Sequence, residues 1–415
     1  MRRIKNWAAA AVCGLTLVAN AFGQQKGDKL VVVAKNAEMK SEATVVQTVC
    51  RGNPLVVQEV NGPWLWVHLF GKSGWIHSRD VVLEGREMDY WNEVLHRDPR
   101  DYDALVARAQ ILIVQDDLTG ALAGATEAIR VDPKQDWAYR VRSSVWERKG
   151  EYDLALADAN EAIHVEPQKA LPYLKRGAVY KMKGEYDKAL VDLNESLRLD
   201  PTNAQTFEQR GFVFNLKKEF DKAIADFTSA IRIDKKSSVA YAGRGYARSK
   251  TQDFRGALSD CDEAIQLNPK STSALGDRAT LHGTMGRPAQ ALADLEHILR
   301  LKPDDAQSLN GVAWLLATCP TSEVRNGRRA VELAKMAVEL SKKHGNADPN
   351  ILDTLAAAYA EAGDFSNATR TQQQAIEQVV AAKKADYTTR LELYKLGQPY
   401  REVLKTETVA ATAAR

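Results

Sequence analysis

The sequence predicts a mainly helical fold: an array of helix pairs preceded by a small all-β domain. Two observations carry that expectation. The stretch GEYDKALVDLNESLRLDP at residues 184–201 occurs one period earlier as GEYDLALADANEAIHVEP at 150–167, and in the later copy Ala189, Leu193 and Leu197 are spaced to line one side of a helix. Residues 27–84 instead hold short runs rich in Val, Trp and Ile, split by Gly, Pro and Asn, as strands and turns require.

The chain opens with Arg2, Arg3 and Lys5, an apolar run from Trp7 to about Val18, and then Ala19-Asn20-Ala21-Phe22-Gly23, with small residues two apart. That order is the pattern of a cleaved export signal. The apolar run is shorter than the ~20 residues that cross a bilayer. Residues 1–23 are therefore read as a signal peptide, removed after Ala21 or Gly23, and the mature chain as exported across the inner membrane to the periplasm or medium. No other segment is apolar enough to span, so no membrane span is expected after cleavage.

Composition narrows the function classes. The 415 residues are 45% hydrophobic and 27% charged, with a net charge of only +3 and no long basic run, so a nucleic-acid partner is not expected. Cys13, Cys50, Cys261 and Cys319 are scattered without a C-x-x-C, which argues against a zinc site or a disulfide framework. H-E-x-x-H, the Walker loop and G-x-S-x-G are all absent, and the two-glycine stretch AGRGYAR falls inside a repeat helix. The expectation is a protein that is not an enzyme, with no catalytic residue, no cofactor and no metal.

In the β region, KLVVVA, PLVVQEV, PWLWVHLF and SGWIHS read as strands, about five in all. Alternation places Leu65, Val67 and Leu69 on the core face of one strand and Trp64, Trp66 and His68 on the other. The stretch GPWLWVHLFGKSGWIHSRDVV, with Trp64, Val67 and Gly74-Trp75-Ile76, resembles the bacterial SH3-like (SH3b) family. That resemblance implies a small barrel over residues 27–84 and a ligand that is often a peptide or cell-wall peptide. The family's early Asn-Val-Arg is missing, and KNAEMKSEATVVQ stands in its place. His77 and Asp80 stand where proline-binding SH3 domains carry Pro and Tyr, so proline-rich ligands are not expected. Trp64, Trp66 and His68 then form either a ligand strip or a face packed on the helix around Trp91; packing is the favoured reading.

From residue 102 a period of 34 holds in register through six units. Small residues recur at repeat positions 8, 20 and 27, a turn-forming residue at 15 (Gly150, Gly184, Gly286) and a proline at 32 (Pro133, Pro167, Pro201, Pro269, Pro303). Small residues let two antiparallel helices approach closely, and proline after a helix stops it. These features resemble the tetratricopeptide-repeat family, which implies a right-handed superhelical α-solenoid. Eight repeats are expected, at 102–135, 136–169, 170–203, 204–237, 238–271, 272–305, 306–344 and 349–382. Repeat seven carries an inserted TCPTSEVRNG. Segments 86–101 and 383–405 are read as capping helices that cover the apolar ends of the array, and 406–415 as a disordered tail.

A second periodicity lies within the first. Position 7 is Arg108, Arg142, Arg176, Arg210, Arg244 and Arg278; position 23 is Asp158, Asp192, Asp226, Asp260 and Asp294, with Gly124 in the first repeat. The matched spacing predicts a structural ladder of Arg–Asp pairs within or between repeats. The resemblance also implies that a partner meets first-helix positions 2, 5, 9, 12 and 13, which makes Trp137, Arg140, Leu174, Met182, Phe212 and Tyr246 candidate groove contacts, with Leu171, Glu147, Arg148, Lys181, Lys250 and Trp314 beside them. Lys at position 5 and Asn at 9, the family's carboxylate clamp, are not found together in repeats two to four.

Two functional readings follow. One is an exported, non-catalytic scaffold whose groove binds a protein or peptide segment while the β domain targets or assists assembly. The other is a cell-wall protein whose β domain binds peptidoglycan, with the repeats as spacer or oligomerisation surface. N-terminal sequencing of the native protein should begin at Phe22 or Gln24; a start at Met1 or Arg2 would refute cleavage.

Overall fold

The computed structural model describes residue 24 and residues 27–402, apart from 35, 42–43, 51–52, 70–71 and 344–346. The expected signal peptide and the tail from 406 lie outside the described residues. The chain divides into two compact units, one ending at Lys183 and the other beginning at Gly184, so the boundary falls inside the third repeat.

The first unit opens with β1 (Lys29–Val32), β2 (Asn36–Ser41), β3 (Thr44–Cys50), β4 (Pro54–Asn61), β5 (Trp64–Leu69), β6 (Lys72–His77) and β7 (Val81–Leu83). They form one antiparallel sheet in the order β3-β2-β6-β5-β4-β1-β7. The sheet thus has seven strands, not the five or so expected. The additional pair is β2–β3, in the stretch where the SH3b pattern fails. Glu38 and Lys40 mask an alternation that buries Ala37, opposite Val49, and Met39, opposite Gln47. Leu65, Val67 and Leu69 face the core, with Leu30, Val57 and Ile76.

Six helices follow: α1 (Glu87–Arg97), α2 (Tyr102–Val114), α3 (Leu118–Val131), α4 (Asp136–Arg148), α5 (Tyr152–Val165) and α6 (Ala170–Met182). Val33 is buried with Trp91, Leu95, Ala104 and Leu105, and Val82 packs against them, so the sheet and the first helices share a core. Tyr102 reaches into the next repeat, its hydroxyl accepting from the Ala138 N–H at 3.0 Å at the start of α4.

The second unit holds α7 (Tyr186–Leu199), α8 (Ala204–Leu216), α9 (Phe220–Ile233), α10 (Ser238–Lys250), α11 (Phe254–Leu267), α12 (Thr272–Thr284), α13 (Pro288–Leu301), α14 (Ala306–Thr318), α15 (Gly327–Lys342), α16 (Pro349–Glu361), α17 (Phe365–Gln378) and α18 (Ala381–Lys395). The insertion in repeat seven forms a 3-10 turn at Ser322–Val324 before α15. The last helix is shorter than the 383–405 read from the sequence. It stops at Lys395, where Gly397 adopts φ of +70° and Pro399 follows.

The small-residue positions explain the helix pairing. Ala109, Ser143, Gly211 and Gly245 at position 8 are buried, as are Ala121, Ala155, Ala223 and Ala257 at position 20. A Cβ on Gly245 would already sit 3.2 Å from the Ala257 carbonyl. Phe227 fills the space between two glycines: a Cβ on Gly243 would come within 2.4 Å of its ring, and one on Gly211 within 3.0 Å. Position 15 has positive φ in each of the first six repeats, as Gly150 (+77°) and Gly286 (+68°), but also as Asp116, Lys218 and Gln252. Proline does not by itself end the second helices. Asp132, Asp200, Asp234 and Asn268 cap them and accept from the backbone N–H two residues on, and α9 stops at the same place although Lys235 replaces the proline.

The arginines of position 7 are forks between helices. Arg142 donates through Nε and NH2 to both oxygens of Asp158 at 2.9 and 2.7 Å, and the same bidentate geometry joins Arg210 to Asp226, Arg244 to Asp260 and Arg278 to Asp294. The third nitrogen, NH1, reaches position 25 of the preceding repeat: Arg176 to Asn160 at 2.8 Å, Arg210 to Asn194 at 2.7 Å, Arg278 to Asp262 at 2.7 Å, and Arg142 and Arg244 to the longer Thr126 and Thr228 contacts. Asp192 lies in the second unit and is buried. In the first repeat Gly124 stands at position 23 in place of an aspartate, and the Arg108 Nε is buried without a hydrogen-bond partner.

Asp226 is buried, so Arg210→Ala should leave an uncompensated charge and cost about 3–5 kcal/mol. Lys188→Ala, which removes an exposed pair with Glu185, should cost about 0–1 kcal/mol. A Cβ at Gly124 meets nothing closer than 3.4 Å, so Gly124→Asp should complete the first fork and raise stability by about 1 kcal/mol. Urea unfolding of the three variants checks both: equal losses for Arg210 and Lys188, or a destabilised Gly124→Asp, would refute the ladder.

Candidate protein-binding surfaces

On the sheet, Trp64, Trp66 and His68 share the outer face of β5, and β6 sets partners beside them. Trp64 lies edge-on to His77 with ring centroids 5.0 Å apart, Trp66 lies edge-on to Trp75 at 5.2 Å, and His68 Nδ1 is 2.8 Å from Ser73 Oγ. Trp64, Trp66, Trp75 and His77 are half-buried and His68 is exposed. Trp91 belongs to the core it shares with Val33 and Leu95; the strip is covered in part by its neighbouring strand. Trp75 and His77 extend the strip, and the alternation of KSGWIH was the signal for them. Burial and the nearby Arg79 hold the His77 imidazole below its ordinary value, so it is a neutral aromatic partner to Trp64 near neutral pH.

The first-helix positions separate into packed and open ones. Leu174 is only 6% exposed, a core residue and not a free anchor. Phe212 is half-buried and lies edge-on to Phe227 at 5.1 Å. Trp137 packs on the core around Ala104 and Val141. Tyr246 is half-buried with Lys250 Nζ 4.9 Å above its ring. Met182, by contrast, is 55% exposed. Large apolar side chains also stand open at Val114 and Leu171 in the first unit and at Leu216 and Val239 in the second. All five lie at positions 2 or 13, and Val114, Leu216 and Val239 were missed although the same position rule finds them. The candidates at positions 5 and 9, Arg140, Leu174, Phe212 and Tyr246, are buried or half-buried.

The charges near these positions are largely matched within the first unit. Arg140 Nε donates to Asp136 at 2.6 Å, and Lys169 reaches the same carboxylate at 3.1 Å. Lys175 pairs with Glu147, and Arg148 pairs with Asp116 at 3.1 Å while donating to the Ile113 carbonyl at 2.6 Å. Burial pushes the Lys175 and Lys181 ammonium groups below the usual lysine range, against the pull of Glu147. Among the described residues no group of His, Cys, Asp or Glu is placed to hold a metal ion, and no helix is long and apolar enough to cross a membrane. Cys261 is buried and its thiol is pushed up to about 12 by burial and by Asp277 and Asp260, which leaves it unreactive.

Residues 170–203 and 243–310 match tetratricopeptide-repeat family models. Those two stretches are similar to tetratricopeptide repeats. By fold it is similar to the crystal structure of the APC/C hetero-tetramer Cut9–Hcn1, with a TM-score of 0.55 and 17% identity over 74% of this chain and 58% of that one. The match therefore spans less than two thirds of that chain's length. Weaker superpositions relate it to Pseudomonas aeruginosa pilF (TM-score 0.44, 19% identity, 51% of this chain and 97% of that one) and to a tetratricopeptide repeat protein from Parabacteroides merdae (0.40, 17%, 71% and 98%). At such identities the likeness is one of fold. No curated protein matches the sequence. Tetratricopeptide repeats as a class mediate protein–protein interaction and are typically non-catalytic.

Asp277, on α12 beside Lys250 and Cys261, is raised from 3.8 to about 6 by burial, which Lys250 only partly offsets. The folded carboxyl holds its proton more tightly than the unfolded one, so its stabilising contribution is complete below about pH 4 and lost as pH rises through about 6. Asp277→Asn should therefore stabilise the protein by about 1–3 kcal/mol at neutral pH and change little near pH 4. Urea unfolding at both pH values tests it; a neutral-pH loss would contradict the assignment.

Proposed function

We propose that this chain is an exported, non-catalytic scaffold whose first-helix surfaces bind a protein segment, with the sheet domain assisting or targeting assembly. The observation that carries the reading is the recurrence of open apolar side chains at one pair of repeat positions, Val114, Leu171 and Met182 in one unit and Leu216 and Val239 in the other. Neighbouring charged groups at Asp136, Arg140, Glu147 and Lys175 are paired with one another. A partner is then held chiefly by apolar contact, and large apolar side chains left open to solvent are typical anchors of recognition surfaces. A second reading, binding of peptidoglycan at the sheet, is favoured by the half-exposed aromatic strip Trp64, Trp66, Trp75 and His77.

Crosslinking in the native exported fraction discriminates them. The variant Met182→Glu, Leu216→Glu, Val239→Glu alters only exposed side chains and should fold, yet lose most crosslinked partners. Unchanged partners in unchanged yield would exclude the repeat surface. Sedimentation of the full chain with cell walls, abolished by Trp66→Ala, would then place the main ligand on the sheet.

A further inference from the structure

The end of the array carries a segment of the chain laid against the first helix of repeat seven. We infer that the first-helix surface of repeats seven and eight is a peptide-binding site whose resident ligand is the chain's own segment Gln398–Glu402. The inference shares with the proposed function only the premise that first-helix surfaces receive extended chain, and it concerns different residues.

The fold-back is encoded locally. At the end of α18 the Gly397 N–H donates to the Tyr394 carbonyl at 3.1 Å and the Gln398 N–H to the Leu393 carbonyl at 3.0 Å. With Gly397 at positive φ, this is the reversal that ends helices at glycine, and Pro399 prevents their resumption. The chain then returns to α14. The Glu402 N–H donates to the Thr318 carbonyl at 2.9 Å, and Arg401 NH1 donates to the Ala317 carbonyl at 3.3 Å. Both carbonyls belong to the last turn of α14, which has no helical partners for them. Trp314 Nε1 donates to the Glu402 carboxylate at 2.8 Å, and the Tyr400 ring lies 5.9 Å from the Trp314 ring.

The receiving side chains are prepared for this occupant. Arg390 donates to Asp353 at 2.8 Å, and its guanidinium lies 4.9 Å from the Tyr387 ring, 5.3 Å from Tyr400 and 5.6 Å from Trp314. Glu361 accepts a hydrogen bond from Arg325 Nε at 3.0 Å on one oxygen, and its other oxygen forms an ion pair with Arg401 at 2.5 Å without hydrogen-bond geometry. Arg325 comes from the insertion, where it also donates to the Cys319 and Pro320 carbonyls. A Cβ on Gly327 would meet the Glu361–Ala362 backbone at 2.7 Å, so the insertion's last residue must be glycine for that close approach. Trp314 and Thr318 are positions 9 and 13 of repeat seven, and Asp353 and Glu361 are positions 5 and 13 of repeat eight. The site thus reads an aromatic residue, an arginine and a glutamate in succession, partly through helix-end carbonyls that any extended backbone could use. A five-residue segment tethered at one end benefits from an effective concentration in the ~mM range, so the same segment offered in trans competes only when the resident one is released.

The test uses the full chain and a fluorescein-labelled peptide of residues 397–405, followed by anisotropy. In the variant Tyr400→Ser, Arg401→Ser, Glu402→Ser the peptide should bind measurably, and Trp314→Ala added to that variant should abolish binding. The wild-type chain should bind about tenfold more weakly or worse, because the site is filled. A second variant with a long Gly/Ser insert after Leu396, every contact residue retained, should show intermediate binding. Equal binding by wild-type and substituted chains would show that the segment does not occupy the site. Absence of binding to both opened variants, each with wild-type helix content, would show that the surface does not recognise it. Either outcome overturns this proposal and leaves the crosslinking experiment on repeats three to five unaffected.

Discussion

The helical part depends on two backbones coming close. Where Gly245 faces the Ala257 carbonyl, or Ser143 donates to the Ala155 carbonyl at 2.9 Å, no room remains for a larger side chain. Such proximity fixes which faces meet and leaves the rest of each helix for its neighbours. It also limits the apolar area that one repeat can bury by itself, so stability is spread along the stack and each repeat leans on the next. The exception at Phe227 obeys the same constraint. One large ring is accommodated because Gly211 and Gly243 give up their side chains to it.

Close packing of small residues is nearly featureless and would permit slippage along the helices. The arginine forks supply register. A guanidinium that binds both oxygens of a buried aspartate in its own repeat and a polar atom of the preceding one has a single acceptable position. Much of the electrostatic energy offsets the desolvation of the buried carboxylates, so the forks serve specificity as much as stability. Arg108 shows the counterpart: without an aspartate at position 124 its Nε is left unsatisfied.

The same economy of polar groups governs the surfaces. In the first unit Arg140, Lys169, Lys175 and Arg148 are engaged by Asp136, Glu147 and Asp116, while large apolar side chains stand open at Val114, Leu171 and Met182, and at Leu154 on a second helix. At the far end, the last carbonyls of α14 are met by residues 401 and 402 of the chain itself. A helix end and an extended segment are complementary by construction, since one lacks donors and the other carries them.

Periodicity made the repeats legible, because the spacing of small residues is dictated by helix geometry and each repeat obeys it independently. Alternation likewise placed Leu65, Val67 and Leu69 inward and Trp64, Trp66 and His68 outward, and the matched Arg and Asp series announced their own pairing. Other features depended on contacts that sequence does not display. Strands β2 and β3 were hidden because charged residues occupy the open face of a strand whose other face is buried. Leu174 and Phe212 were read as anchors because position alone cannot tell whether tertiary packing will cover a side chain. The reach of Arg210 to Asn194 and the return of Tyr400 to Trp314 join residues far apart along the chain. Local rules wrote the helices and turns; only the stacking of one repeat on another decided which of their polar and aromatic groups would meet.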